Sequence, residues 1–288
     1  MIKDRNGVVV DNGDSQDKTL SFLYNNAFGR LIGRVLVRRW ISELGRVYME
    51  SSFSKGRIKR LIKQHNIDMT EYENREFKSF NDFFTRKLAE NKRPVDKNAD
   101  AVISPADSKL TVYDITDDGR YNIKDCEYSI YTLLGGDKEL AEEFIGGKCF
   151  VYRLTVDNYH RYCYIDSGVE ESYRFISGIY HTVNPIATEK IDVYGKNCRE
   201  LTVLDTDNFG RVAYIEVGAM MVGRINNTHP KTRFCRGEEK GYFSFGGSTI
   251  VMLYKKDAVT PDSDIIENSK NSIETAVKYG ERVGTKGD

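Results

Sequence analysis

The spacing of apolar residues changes along the chain. From Leu20 to about His65 it is helical: Phe28, Leu31, Ile32, Val35 and Leu36 share one face, while Arg30, Arg34 and Arg38 stand four apart on another. A further helix is predicted in SFNDFFTRKLAENKRPV, with Ser79 as N-cap, Asp82 in the first turn and Pro94 beyond its end. A short one is predicted in DKELAEEFIGG, opened by Asp137 and stopped by Gly146. Beyond residue 148 the pattern is β almost throughout. CFVYRLTV, HRYCYI, YRFISGIYHTV, RVAYIEVGAMMVG and STIVMLY are rich in Val, Ile, Tyr and Phe and punctuated by Gly, Asn and Asp. The first 18 residues read as a strand pair at most or a loose arm, and the closing GERVGTKGD as a turn and a frayed end. Helices first and strands afterwards predict an α+β fold. The expected organisation is an N-terminal segment of amphipathic helices (1–70) followed by a β-rich core (71–288).

The chain of 288 residues is 40% apolar and 30% charged, the composition of a folded protein. Lys and Arg balance Asp and Glu at 43 each, so no global field draws the chain to nucleic acid and none is expected as a partner. Locally the balance breaks. Residues 25–63 hold ten basic side chains against two acidic ones, Glu43 and Glu50, a net +8. A basic amphipathic stretch with Trp40 suits a helix lying on an anionic membrane, and equally a helical hairpin packed on the core with a solvated basic face, or a dimer contact. The five cysteines are odd in number, widely spaced and without a CxxC pair. They point away from a disulfide framework or a zinc site, predict no metal, and fit a reducing compartment. The start MIKDRNGVVVDNGDSQDK lacks an h-region and no stretch of about 18 apolar residues offers a span, which predicts a cytoplasmic protein.

YFSFGGSTIVMLYKKD interrupts a strand-like run with Gly246, Gly247, Ser248 and Thr249. Glycine inside a strand marks a bulge or a close approach to the backbone. Thr249 and Ile250 follow Ser248, so the nucleophile elbow G-x-S-x-G is not matched. A Gly-Ser bond offers another reaction: the serine oxygen attacks the preceding carbonyl, which glycine leaves open. If β-elimination follows, the chain breaks and the serine becomes a pyruvoyl group, a ketone able to condense with an amine. A plain Gly-Gly-Ser bulge is the commoner use of the tripeptide. Among the four histidines, His160 lies in the polar cluster of LTVDNYHRYCYID, and Asp107 follows Pro105 in VISPADSKL. Read singly, they are a structural histidine and an Asx-turn former.

Six blocks together resemble the phosphatidylserine decarboxylase family: FFTRKLAENKRPVD, SPADSKL, DNYHR, HTVNPIA, VGAMMVGRI and FGGSTIVMLY, in order from about residue 80 to 255. The resemblance implies self-cleavage between Gly247 and Ser248 into a β chain (1–247) and an α chain (248–288) that stay together, with Ser248 becoming the covalent pyruvoyl cofactor. It implies Ser248, His160 and Asp107 as catalytic residues, and decarboxylation of phosphatidylserine to phosphatidylethanolamine at the cytoplasmic face of the cell membrane. A homodimer is left open. Two departures stand out. Cys163 occupies the place of the family's second histidine, which leaves the self-processing base open between His160 serving both steps and His181 substituting. Ser108 replaces the usual Gly after Asp107. Other outcomes of the same motifs are a pyruvoyl decarboxylase of another serine-headed lipid or amino acid, and a membrane-binding relative that never matures.

Overall fold

The run STIVMLY becomes strand β14 (Ser248–Tyr254), buried along its whole length. The computed structural model describes residues 1–11, 22, 26, 39–124, 126–219, 224–228, 232–245 and 248–287. Among these, nine strands form the main sheet. Its order is β2 (Val9–Asp11), β1 (Ile2–Lys3), β16 (Glu274–Val277), β4 (Ser108–Asp114), β7 (Lys148–Leu154), β14, β11 (Gly210–Val217), β10 (Arg199–Thr206) and β9 (Gly168–Ile176). β14 lies between β7 and β11, antiparallel to both, with Ser248 opposite Leu154 and Thr249 opposite Val217.

Val251 and Leu253 join Ala213, Ile215 and Val217 in one apolar cluster, while Ile250 and Met252 join Tyr152, Leu154 and Tyr214 in another. Both faces of β14 are therefore covered, and its sequence is a continuous apolar run where a half-exposed strand would alternate. Part of the second face is closed by a three-stranded sheet of β12 (Ile225–Asn227), β13 (Glu239–Phe243) and β8 (Arg161–Cys163). Another part is closed by β15 (Val259–Pro261), β17 (Arg282–Lys286) and β3 (Ala101–Ile103). A hairpin of β5 (Arg120–Ile123) and β6 (Cys126–Ser129) lies over the first face. The fold is α+β, as predicted.

Of the predicted 20–65 helices, α1 (Arg39–Glu50) and α2 (Gly56–His65) are present, joined by a single turn at Ser52–Lys55. The stripe Phe28, Leu31, Ile32, Val35 and Leu36, with Arg30, Arg34 and Arg38, lies outside the described residues. Met49 is buried with Phe80 and Phe84, and Ile58 and Leu61 pack on them, seating the helical pair against the body.

Three expectations are corrected. The helix at Ser79 spans only Phe80–Phe84 (α3), capped as predicted by the Ser79 hydroxyl accepting from Asp82 N at 3.1 Å. The chain then leaves it, burying Arg86 and pairing Leu88 with Tyr72. YRFISGIYHTV is strand only to Ile176. Gly178 runs so close to the 196–198 backbone that a Cβ would meet the Lys196 carbonyl at 2.3 Å, and Asn184 caps a helical turn at Pro185–Thr188. The predicted frayed end is β17, paired with both β15 and β3. The N-terminal strand pair does form, and β1 runs parallel to β16 at one edge of the sheet.

Candidate active site

Ser248 is the first residue of β14, with no exposed surface, and its Oγ has no hydrogen-bond partner among the described residues. A buried hydroxyl left unpaired is destabilising by roughly 1–3 kcal/mol, so a functional reason is called for. Gly247 lies outside the described residues. Beside Ser248, the ladder Val217–Thr249 places Gly218 on one side, while Leu154 lies on the other.

His160 is delivered by the turn between β7 and β8. Asn158 holds that turn: its Oδ1 accepts from Thr155 N at 2.9 Å, Thr155 Oγ1 at 2.9 Å and Lys109 Nζ at 3.0 Å. The Asn158 carbonyl lies 2.9 Å from His160 Nδ1. A carbonyl only accepts, so Nδ1 carries the hydrogen and Nε2 presents its lone pair. Nε2 is buried and, like Ser248 Oγ, has no partner among the described residues. Phe84 covers the ring at 3.8 Å between centroids. Burial, with a smaller contribution from Arg86, lowers the imidazole to about 3, so His160 is neutral near pH 7.

The two orphaned groups sit on converging segments. Phe243 N donates to the His160 carbonyl at 2.9 Å. Two residues on, Phe245 meets Phe84 edge-on at 5.3 Å, on the ring that covers His160, and Ser248 is three residues further. An unprotonated nitrogen and a hydroxyl, both dry and unpaired, are suited to a proton transfer between them.

Asp107 is held elsewhere. The Arg93 guanidinium donates to its carboxylate at 2.8–3.3 Å and to Glu71 at 2.9–3.0 Å, and Tyr279 N donates to Asp107 Oδ1 at 2.8 Å. Those bonds to Arg93 lower the Glu71 carboxyl. The imidazole of His160 is thus oriented by a backbone carbonyl, and the carboxylate of Asp107 by an arginine. Lys109 pairs with Arg153, which sets Ser108 and Ser248 on opposite sides of Leu154, two strand spacings or roughly 10 Å apart. Ser108, in place of Gly, takes no left-handed backbone and donates Oγ to the Ala106 carbonyl at 3.3 Å, so the turn closes without glycine.

Cys163 is fully buried, and burial pushes its thiol up to about 12, which keeps it protonated and removes it as a base. His181 is half-buried. Its N–H donates to Asn197 Oδ1 at 2.9 Å, and Asn197 Nδ2 donates to the Gly218 carbonyl at 2.7 Å, so it stands two links from the neighbour of Ser248. His229 lies outside the described residues. Sequence reasoning missed Arg86, Arg93 and Lys109; the first two stand inside FFTRKLAENKRPVD, which it had singled out.

A model of the phosphatidylserine decarboxylase family matches residues 80–285. The chain is 47% identical over 270 residues to phosphatidylserine decarboxylase proenzyme 2 of Clostridium acetobutylicum, covering 93% of this chain and 92% of that one. It is 40% identical to the phosphatidylserine decarboxylase proenzymes of Clostridium perfringens, with 93% of both chains covered, and of Clostridium tetani, with 94% and 93% covered.

Proposed function

The chain belongs to the phosphatidylserine decarboxylase family and is a decarboxylase, and from that premise we propose that it converts phosphatidylserine to phosphatidylethanolamine and carbon dioxide after cutting itself between Gly247 and Ser248. The observation that carries this reading is the buried hydroxyl of Ser248 at the head of a central strand and the buried Nε2 of His160, both without a partner among the described residues, on chain segments joined at Ser248–Leu154 and Phe243–His160.

In the cut, Ser248 Oγ bonds to the Gly247 carbonyl carbon and the peptide C–N bond breaks. The hydroxyl proton passes through His160 Nε2 to the released nitrogen. Loss of the Ser248 Cα proton then expels the Gly247 carboxylate, and water replaces the nitrogen, which leaves as ammonia. The resulting pyruvoyl group supplies an electron-accepting carbonyl to the amine of the substrate. His160, held by Asn158, returns a proton to the carbon that has lost carbon dioxide. Asp107 accepts from Arg93, which Glu71 also holds, and steadies the SPADSKL turn, which is tied to β8 by Cys163 N donating to the Pro105 carbonyl at 3.0 Å.

Both pieces stay together. Residues 248–288 supply β14 between β7 and β11, together with β15, β16 and β17 in two sheets. Docking on a membrane is assigned to the helical pair. Leu44, Val47 and Phe53 are 62%, 59% and 87% exposed, and Lys55, Arg57, Lys59, Arg60 and Lys63 follow on the exposed surface. Apolar side chains beside cations suit the headgroup boundary of an anionic bilayer. No helix among the described residues is long and apolar enough to cross a membrane.

Intact mass of the purified protein tests the reading. Two chains are expected, the smaller being residues 248–288 and lighter by one ammonia than a serine-initiated peptide. Ser248→Ala should remain one folded, inactive chain. A single unmodified wild-type chain, or cleavage of the alanine variant at the same bond, defeats the proposal.

A further inference from the structure

Arg86 is 1% exposed, yet among the described residues no carboxylate is among its partners. Its guanidinium lies 4.2 Å from the Tyr72 ring and 4.7 Å from the Phe83 ring, two contacts that favour a cation. Nη2 donates to the Asp157 carbonyl at 3.0 Å, the Asn158 carbonyl at 3.3 Å and the Tyr72 hydroxyl at 3.2 Å, and Nη1 to the Phe83 carbonyl at 3.4 Å. Nε is buried without a partner. Burying an unneutralised guanidinium is unfavourable. An apolar side chain would fill this space at lower cost if stability were its only role.

The Asn158 carbonyl is the informative acceptor, because it receives both Arg86 Nη2 and His160 Nδ1. Its two lone pairs are then both taken by donors. On the other side of the same turn, Lys109 Nζ donates to Asn158 Oδ1 and stands 3.6 Å from Asp157, whose carboxylate also lies 4.0 Å from His65 Nδ1. The turn is gripped at its carbonyls by Arg86 and at its side chains by Lys109. Asp157 is drawn to Lys109 and His65, and the cation acting most strongly on His160 is Arg86.

We propose that Arg86 is a positioning residue for His160, fixing the Nδ1–H tautomer through the shared Asn158 carbonyl, so that Nε2 is kept as an acceptor for Ser248. This rests on the reading of His160 and Ser248 as the self-cleaving pair. Arg86 touches neither reacting atom in the structure. Lysine at this position keeps the charge but loses the planar fork that spans two carbonyls, and glutamine keeps a donor but loses the charge.

The test is the protonation state of His160, read by NMR of [15N]histidine-labelled protein in the Ser248→Ala chain, which does not need to cleave. The chain has four histidines, and His160→Gln identifies the signals of interest. At neutral pH the parent should show Nδ1 protonated and Nε2 bare, unchanged on acidification to about pH 5. With Arg86→Gln added, a mixture of tautomers should appear, because the Asn158 carbonyl is no longer held in place. Arg86→Lys keeps the charge but loses the planar fork, and should show the same mixture. In the chain that retains Ser248, Arg86→Gln should slow self-cleavage by roughly 10-fold or more, part of what a well-placed base contributes. An Arg86→Gln chain whose His160 signals match the parent overturns the proposal. Should that variant not fold, the parent decides alone, since a His160 protonated at Nε2, or charged near neutral pH, is equally fatal. Failure of the underlying reading looks different: a chain that never cuts itself can still show the bare Nε2 set by Arg86.

Discussion

The helical pair α1–α2 and the strand β14 are both rich in apolar residues, but they use them in opposite ways. β14 points Ile250, Val251, Met252 and Leu253 into two covered faces and leaves none exposed. Among the described residues, the helical pair turns Met49, Ile58 and Leu61 toward the body and leaves Leu44, Val47 and Phe53 exposed among cations. On α1, Arg46 bonds Glu43 and Glu50 at 2.9 and 2.7 Å, an ion-pair network within the helix. An apolar side chain in the sheet therefore holds the fold, and one in the stripe is available to something else. Phe80, Phe84 and Phe245 join the two regions, touching the helices on one side and His160 and the approach to Ser248 on the other.

The contrast predicts its largest effect for a charge in the sheet region. Lys240 and Glu216 are both fully buried and bonded at 2.6 Å, with Glu216 on β11 beside β14. Lys240→Met strands the carboxylate, an expected loss of about 3–5 kcal/mol in denaturant unfolding. Burial already raises the Glu216 carboxyl, and without the lysine it rises further. A carboxyl raised in the folded state loses stability as pH rises from the ordinary carboxylate range through its folded value. The deficit should therefore shrink on acidification, and Glu216→Leu should recover most of it at neutral pH. On the arm, Lys59→Met should change stability by roughly 0.5 kcal/mol or less. Equal losses at the two lysines would erase the distinction between the regions.

Next in size is the exposed stripe. Replacing Leu44, Val47 and Phe53 together by Ser should leave the unfolding midpoint nearly unchanged. Each side chain is worth roughly 1 kcal/mol or more when it enters the acyl boundary. Binding to vesicles containing phosphatidylserine, measured by sedimentation, should therefore weaken by about 100-fold. Added salt should weaken the wild type further, because the cations on α2 are screened. Undiminished binding by the triple variant would reassign the stripe to another role.

How much of this was legible depends on the range of the interactions. The caps Ser79 and Asp137 and the run of β14 follow from neighbours a few residues away, and they are present as read. β17 was misread because RVGTK is short and polar-ended, and its partners are Ala101–Ile103 and Val259–Pro261, which no local pattern connects to it. Ser248 and His160 stand out in the sequence by residue type and resemblance. The group that orients His160 was not, since any backbone carbonyl looks alike in a sequence and only the turn held by Asn158 shows which one is used. Arg93 and Asp107 are 14 residues apart and their pairing is just as silent. Arg86 was quoted within a motif, but a burial without a carboxylate partner has no signature in the sequence.

The smallest expected effect lies at the joint between the regions. Ser54 is fully buried in the turn after α1. Its hydroxyl donates to the Ser51 carbonyl at 2.6 Å, lies 3.0 Å from the Met49 carbonyl, and accepts from Phe80 N at 2.8 Å. Phe80 opens α3, so its N–H is one of the donors a helix leaves unsatisfied at its start. Ser79 answers for Asp82 N within the helix, and Ser54 answers for Phe80 N from the arm. Ser54→Ala should therefore cost about 1–2 kcal/mol, with the Phe80 amide exchanging faster with solvent deuterium than the amides of β14. Because α3 carries Phe84 over the His160 ring, self-cleavage should slow together with that exchange. A variant with a fast Phe80 amide and an unchanged cleavage rate would show that the two regions share a surface without sharing function.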